Sequence, residues 1–497
     1  MRLKVRDTGL STGGILIAIL NEEDAHRMDL HLKDRILVRK ARNRNVKTVA
    51  TLDIADSKRA IPQGVIGCME EVLKKLKLKH GDEVVVEYAK KPRGIGLIRR
   101  KLDGYELTRD DYDIIVNDIV RDELSQQELA YFIAACYTHG LKDRETVCLT
   151  KSIVAHGATL TIKGNVYDKH CIGGVPGNRT TLIVVPILAA AGLKVPKTSS
   201  RAITSPAGTA DTMEIFAPVA FPLKKMQSIL DKVGAFIAWG GGINLATADD
   251  KLIKVRHTMS IDPIGMLLAS ILAKKRAVDS NKVLIDIPVG KDTKIKSQKH
   301  ALQLKREFMR IGKKIGMKVE VVLTNGEQPI GSGIGPALEA IDVLHVLQRN
   351  KEAPKDLEKK SLEMAAYMLK MAGKKNSKKL AKELLDSGKA YKKFKEIVKA
   401  QGGKPNLQPK DIRVGKFKKT MTAYKKGTLV DLHTASLARV ARIAGAPLNK
   451  GAGLYLHVRQ GAKVKKGDPI VTIHAQSKSK LQFALDKCCF ERCYTIK

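Results

Sequence analysis

The chain has 497 residues, 43% of them hydrophobic and 28% charged, enough apolar material for about three domains of ~150 residues each. Lys and Arg number 90 against 51 Asp and Glu, so the net charge is +39 and the partners implied are polyanions or phosphorylated small molecules. Aromatic residues are only 4%, which leaves few stacking platforms for single-stranded nucleic acid; no apolar run of about 18 residues suggests a membrane helix. Seven cysteines, an odd number in a long chain, argue against a disulfide framework and for a reducing compartment. Cys488, Cys489 and Cys493 are the one cluster, and they lack a second ligand pair at zinc spacing. The opening Met1 to Asp7 has no secretory apolar stretch, so the expectation is a cytoplasmic chain.

In chain order, residues 1–90 read as β-rich. The stretch from Leu30 to Val38 echoes that from Leu78 to Val86: a Leu, a turn ending in Asp34 or Asp82, then an aliphatic run. Two related halves imply a small pseudo-twofold barrel resembling double-psi barrel domains, although two unrelated strands would read the same way. Lys90-Lys91-Pro92-Arg93-Gly94 reads as the linker out. Helices follow over 105–160. Thr108 precedes Asp110 and Asp111 as an N-cap with acids in the first turn, and Ser125 with Glu128 forms a capping box before the run 129–136. A further helix is expected over 141–157.

From 160 to 345 strands, Gly-rich turns and helices alternate, which is α/β behaviour. Residues 181–191 are apolar enough for a buried helix despite Pro186, and 283–287 and 319–323 read as buried strands. Residues 355–400 are helical and Lys-rich, and Gly402-Gly403-Lys404-Pro405 ends them. From 410 the chain returns to β. The turn from Gly461 to Pro469, entering Val471-Thr472-Ile473, looks like the hammerhead half-barrel of biotinyl and lipoyl carriers. Ser477-Lys478-Ser479-Lys480 is a poor site for a carrier lysine, so a structural cap is expected there.

Four stretches carry candidate chemistry. Asp168-Lys169-His170-Cys171-Ile172-Gly173-Gly174-Val175-Pro176-Gly177-Asn178-Arg179-Thr180-Thr181 sets three glycines within five positions before a helix, with Lys169 and two hydroxyls nearby. Backbone N–H groups and a helix N-terminus can seat a phosphate-sized anion there. Ser199-Ser200-Arg201-Ala202-Ile203-Thr204-Ser205-Pro206-Ala207-Gly208-Thr209-Ala210-Asp211 holds five hydroxyls and a guanidinium, suited to phosphate and sugar; an ordinary Ser/Thr loop would look similar. Asp262 stands before Pro263, the place of a helix cap, and Ser270 and Lys274 share a helix face, so the three could serve one ligand. Asp286 to Lys294 reads as a strand-end loop with Lys291 and Lys294, where α/β sheets bind ligands.

Lys169-His170 with Gly173-Gly174, Ser200-Arg201 through Gly208-Thr209, Ala246 to Asp249, Ser270 to Lys274, Gly331 to Ala337, Ser387-Gly388-Lys389-Ala390 and Gln401-Gly402-Gly403 resemble, in order, the signature of thymidine and pyrimidine-nucleoside phosphorylases. The resemblance covers about 105–497. The nucleoside enzymes carry Ser-Thr where this chain has Cys171-Ile172; their Arg lies one residue out of register with Arg256; the bacterial members lack the first 85 or so residues. These departures resemble the archaeal AMP phosphorylase branch, which favours Pro where this chain has Thr247. The resemblance implies a nucleotide held by Gly174, Ser200, Arg201, Ala202, Ile203, Thr204, Ser205, Thr209, Ser270 and Lys294, with Asp262 as proton donor; Lys169 and Lys274 are weaker transfers from the nucleoside enzymes.

The resulting expectation is a multidomain α/β protein. An N-terminal double-psi-like β-barrel (1–90) serves assembly, followed by a helical domain (91–165, completed by 245–280), a central α/β phosphate-binding domain (166–400) and a C-terminal α+β hammerhead-like domain (401–497). The reaction implied is AMP plus phosphate giving adenine and ribose 1,5-bisphosphate, with CMP and UMP as further substrates. Phosphate is a co-substrate, no other cofactor or metal is called for, and a homodimer or larger homo-oligomer is expected. The rivals are a nucleoside phosphorylase, an anthranilate-type phosphoribosyltransferase, which would need an acidic pair for magnesium diphosphate, and a basic nucleic-acid-binding protein.

Overall fold

Alternation builds the first element: in β1 (Arg2–Asp7) Leu3 and Val5 are buried while the charged residues beside them are not. Similar inward and outward patterning shapes β2 (Ile17–Asn21), β3 (Arg35–Lys40), β4 (Asn43–Ala55) and β6 (Glu83–Tyr88), while β5 (Val65–Cys68) is buried from Ile66 onward, with α1 (Glu22–Arg27) after β2 and α2 (Glu70–Leu76) after β5. The computed structural model describes residues 1–202, 205–243, 245–259, 261–487 and 493–497. Ile203, Thr204, Ser260, Cys488 and Cys489 therefore lie outside the described residues.

The six strands close into a barrel in the order β1-β5-β2-β4-β3-β6. Exchanging β1, β2 and β3 with β4, β5 and β6 leaves that order and its sense intact. β1·β5 and β2·β4 are both parallel, and β1·β6 and β3·β4 are both antiparallel. The sequence echo is the same relation at the turns: Asp34 accepts from the His31 N–H at 2.7 Å, and Asp82 from the Lys79 N–H at 2.9 Å. α3 (Gly94–Leu102), α4 (Arg109–Val120) and α5 (Gln126–Thr138) follow. The capping boxes at Thr108/Asp111 and Ser125/Glu128 both form, and Glu128 also accepts from Arg35 at 2.9 Å.

Met1–Gly140 and Lys251–Ile261 make one compact unit, and Leu141–Asp250 and Asp262–Lys497 a second. The second unit runs α6 (Asp143–Ala155), β7 (Tyr167–Cys171), α7 (Thr180–Ala190), β8 (Val195–Ser199), α8 (Thr209–Met213), α9 (Leu223–Val233) and β9 (Ala235–Trp239). The first turn of α10 (Thr247–Met259) belongs here and the rest of it to the first unit. Then come α11 (Ile264–Ala277), β10 (Lys282–Val289), α12 (Gln298–Lys314), β11 (Lys318–Asn325), β12 (Gly333–Ile334), α13 (Pro336–Leu347), α14 (Lys355–Met371), α15 (Ser377–Asp386) and α16 (Lys389–Ala400). Last are β13 (Phe417–Thr422), β14 (Gly427–Leu432), α17 (Thr434–Ile443), β15 (Gly453–Leu456), β16 (Lys463–Val464), β17 (Pro469–Ala475), α18 (Lys478–Lys487) and β18 (Tyr494–Ile496).

β11, β10 and β7 form a parallel sheet, and a parallel bridge from Val166 to Lys194 brings β8 and its parallel partner β9 beside it. Side chains of β10 alternate between two cores. Leu284 packs with α7 and α14, while Val283, Ile285 and Ile287 pack with α11 and α12. α7 has no polar face and is buried from Thr180 through Ala189, Pro186 included, as its composition predicts. The C-terminal part holds a β12-β15-β17-β13 sheet and a β16-β14-β18 sheet over a shared core. No described helix is long and apolar enough to cross a membrane.

Ser125→Ala removes the cap that receives the Glu128 N–H, and the expected loss is about 1 kcal/mol. Urea unfolding reads it as a lower midpoint at unchanged slope; an unmoved midpoint would show the cap to be dispensable.

Candidate active site

β7 ends at Cys171 and the chain must reverse within a few residues to enter α7. Gly173 and Gly174 take φ of +96° and +98°, a conformation that side chains rarely adopt. Gly174 has a second reason to be glycine: a Cβ there would lie 2.9 Å from Thr293 Cα and 3.0 Å from the Lys294 nitrogen. The Gly-rich turn thus rests directly on the loop carrying Lys294. α7 then begins at Thr180, with its first-turn amides next to this turn.

Beneath the turn lies a set of buried charges, arranged by strand alternation. On the α7 side of the sheet, Lys169 donates to Thr180 Oγ1 at 2.8 Å and stands 3.6 Å from Asp286. Lys360 from α14 stands 3.1 Å from the same carboxylate, and Thr324 donates to it at 2.6 Å. Burial alone would raise the Asp286 carboxyl, but the two ammonium groups outweigh it and hold the value near about 2. On the opposite side, Asp168 takes Lys275 of α11 at 2.6 Å and Lys197 of β8 at 3.2 Å. Both carboxylates have no exposed side-chain surface, and the four lysine side chains are at most 9% exposed. Four lysines therefore face two carboxylates. Burial pulls Lys197 down to about 7 in spite of Asp168. Burial, followed by Lys275, Lys197 and Lys169, drives His170 well below its usual range, so its imidazole is neutral.

A second knot ties the 199–211 loop. Asp211 accepts from the Ala202 and Gly208 amides at 2.7 and 2.9 Å. A Cβ on Gly208 would meet the Arg201 carbonyl carbon and the Ala202 nitrogen at 2.6 Å, so glycine is required by close approach. Arg201 pairs with Glu214 at 2.6 and 2.7 Å and with Asp211 at 3.1 Å, and lies over Trp239 with 4.8 Å to the ring centre. Arg201, and behind it Lys450, hold Glu214 near about 2. The guanidinium expected to meet a phosphate is thus engaged by two carboxylates. Ser200 lies exposed at the rim, and Ser205 donates to the Ala207 carbonyl at 2.9 Å. Thr209 opens α8 and accepts from Arg179 at 3.4 Å. Arg179 is ion-paired to Glu339, which also accepts from Thr212 at 3.0 Å and from the Gly335 amide at 3.1 Å.

Asp262, Ser270 and Lys274 divide into two groups. Ser270 and Lys274 converge on Asp249, each at 2.7 Å, with Asp250 at 3.3 Å from Lys274. Burial opposes the charge on Lys274, but these two acids raise it above the ordinary value. Asp262 instead faces Lys294 at 3.7 Å, both side chains partly open to solvent at 40% and 51%. The N-cap of α11 falls on Pro263 without a side-chain cap bond, so Asp262 is not the capping residue its position before proline suggested. Sequence reading missed Lys197, Lys275, Lys360, Asp211, Glu214 and the Arg179–Glu339 pair. Lys197 is buried with Val195, Pro196 and Thr198 in the strand Val195–Ser199, a burial that only the fold reveals.

Lys197 titrates near about 7 in the fold against 10.5 in an exposed lysine, so the unfolded chain binds the extra proton between those limits. Stability therefore rises with pH across that window. Lys197→Met leaves Asp168 its Lys275 partner, removes that rise, and is expected to stabilise the chain at pH 6 in phosphate-free buffer by about 1–4 kcal/mol. The check is urea unfolding at pH 6, 7.5 and 9; a less stable variant at pH 6 would show that Asp168 needs both ammonium groups.

Comparison with known proteins places these parts in a known series. Residues 95–157 match the helical bundle domain of a glycosyl transferase family, 163–391 its a/b domain, and 428–497 the pyrimidine nucleoside phosphorylase C-terminal domain. The AMP phosphorylase of Methanococcoides burtonii is 43% identical over 98% of this chain and 95% of its own length. That of Thermococcus kodakarensis is 42% identical over 98% and 96%, and AMP phosphorylase 1 of Archaeoglobus fulgidus 41% over 96% and 94%. Among solved structures, anthranilate phosphoribosyltransferase from Thermus thermophilus superposes with a TM-score of 0.52 at 17% identity, covering 62% of this chain and 99% of its own, a likeness of fold.

Proposed function

The chain belongs to the AMP phosphorylase family of pentosyltransferases, and from that premise we infer that it cleaves AMP with inorganic phosphate to adenine and ribose 1,5-bisphosphate. The observation that supports this most is the excess of buried lysines over carboxylates near the Gly173–Gly174 turn: Lys169, Lys275 and Lys360, with Lys197 titrating at about 7, on two carboxylates. A surplus of interior positive charge is relieved by an arriving anion, and backbone amides of the turn and of α7 can orient it. In this reading phosphate sits there beside C1′ and attacks as the base departs, through a transition state of oxocarbenium character.

The base must receive a proton as it leaves, and Asp262 is assigned that role. Acting as an acid requires surroundings that favour the neutral carboxyl. In this reading the bound nucleotide covers the Asp262 side chain, which is 40% exposed in the free chain. Lys294, 51% exposed and 3.7 Å away, is assigned to the 5′-phosphate. Arg201, paired to Glu214 and Asp211, is assigned to shaping the loop that carries Ser200, Ala202 and Ser205, so its part in binding is indirect. Gly174, Thr209, Ser270, Lys169 and Lys274 complete the proposed site, together with Ile203 and Thr204 outside the described residues. CMP and UMP are proposed as further substrates. The scheme asks for no cofactor, and a cytoplasmic setting is proposed with it.

The finer fold assignments stand on the same footing. A double-psi type is proposed for the barrel, supported by its exchange symmetry. A hammerhead half-barrel is proposed within the C-terminal domain, supported by the turn that leads into β17. The barrel is also proposed as the assembly surface of a homo-oligomer, supported by Leu10, Leu32 and Tyr88 at 58%, 58% and 57% exposure.

Incubation with AMP, with and without phosphate, should release adenine only when phosphate is present. Thymidine consumed in place of AMP would return the chain to the nucleoside phosphorylases. Asp262→Asn should lower kcat by about 10²–10⁴ with KM for AMP little changed; near-normal turnover would remove it from the acid role.

A further inference from the structure

Lys294 lies on a loop of unusual internal order. Thr293, 4% exposed, donates through Oγ1 to the carbonyls of Gly290 at 2.9 Å and Ile295 at 2.7 Å. The Gly290 amide returns to Ile295 at 3.2 Å, and Gly174 packs on Thr293 and the Lys294 nitrogen from the other side. Lys291 and Asp292 of this loop both end in the C-terminal domain. Lys291 is ion-paired to Asp431 at the end of β14, and His433 Nδ1 lies 3.1 Å from the same carboxylate. Asp292 Oδ2 accepts from Thr434 Oγ1 at 2.9 Å and from the Ala435 amide at 3.3 Å. This matters at α17, whose N-cap residue, His433, offers no side-chain cap bond. Asp292 supplies a carboxylate to that helix start from a loop more than a hundred residues away, where amides and the helix dipole both favour it.

We propose that Asp292, seated on the start of α17, and Lys291, seated on Asp431, are positioning residues that set Lys294 for the 5′-phosphate, so that the C-terminal domain determines selectivity for nucleotides over nucleosides. The proposal rests on the AMP phosphorylase reading above. Its physical basis is that a long, partly exposed lysine contributes to specificity only where its backbone is held. Here the backbone is held on one side by Gly174 and on the other by two charge-assisted contacts to a separate layer of the fold. Without those contacts the ammonium group would still be present but would sample more positions, and affinity for the phosphorylated substrate would fall.

The test compares Asp292→Ala, Asp292→Asn and Lys291→Ala with the parent, in full-length protein. Parent activity on AMP is measured first, so a failure of the functional reading is seen before any variant is read. With that activity in hand, Asp292→Ala should raise KM for AMP about tenfold with kcat within about twofold, the scale expected for losing hydrogen bonds to a charged group. KM for adenosine, which lacks the 5′-phosphate, should not move. Asp292→Asn keeps an oxygen acceptor for Thr434 and Ala435 and should recover most of the affinity. Hydrogen exchange of the 291–294 amides, which needs no turnover, should quicken in Asp292→Ala and Lys291→Ala. Equal rises in KM for AMP and adenosine, or unchanged AMP affinity together with unchanged exchange, would overturn the proposal.

Discussion

Two carboxylates, Asp168 of β7 and Asp286 of β10, each buried between two lysine side chains on opposite faces of the sheet, are the constraint around which the second compact unit is arranged. Asp168 and Asp286 have no solvent contact of their own, and neither has a single partner: Lys197 and Lys275 share one, Lys169 and Lys360 the other. Such a group could not be assembled from one element. It needs β7, β8, β10, α11 and α14 in place together, because a missing carboxylate, or the loss of both its lysines, strands a charge in a medium that stabilises it poorly. It also leaves more buried lysines than carboxylates, the surplus on which the proposed phosphate site rests.

The remaining contacts hold backbone against this core. Gly174 permits contact with the Lys294 loop that any side chain would block, and Gly208 does the same for the chain at Arg201 and Ala202. Arg179 and Glu339 join the beginning of α7 to the 207–212 segment and to the glycine-rich approach to α13. Asp211 bridges two amides of a loop that has little secondary structure of its own. At Arg179, Glu339 and Asp211 a buried charge substitutes for the ladder hydrogen bonds that irregular backbone lacks.

Local features were legible beforehand because their physics is local. Thr108 and Ser125 cap helices through residues three positions away, and the short aliphatic runs 283–287 and 319–323 read as the buried strands they are, β10 and β11. The barrel echo was legible because both Asp34 and Asp82 close the same short turn. Asp262 shows the limit. Its place before a proline pointed to a cap, yet Pro263 takes the cap position and the Asp262 carboxylate faces Lys294 from a different element.

By itself the sequence determined the α/β character of the centre, the glycine turn ahead of an apolar helix, the order of the family motifs and the surplus of basic residues. Which basic residues matter was decided by tertiary structure alone. Lys197, Lys275 and Lys360 are three among the chain's 90 Lys and Arg, and nothing in their neighbours along the chain marks them as partners of Asp168 and Asp286. Arg201, conspicuous in its motif, turns instead to Glu214 and Asp211. The reason is physical: electrostatic role depends on distance and burial, both set by how strands and helices stack, whereas propensity and capping act within a turn or two of the chain.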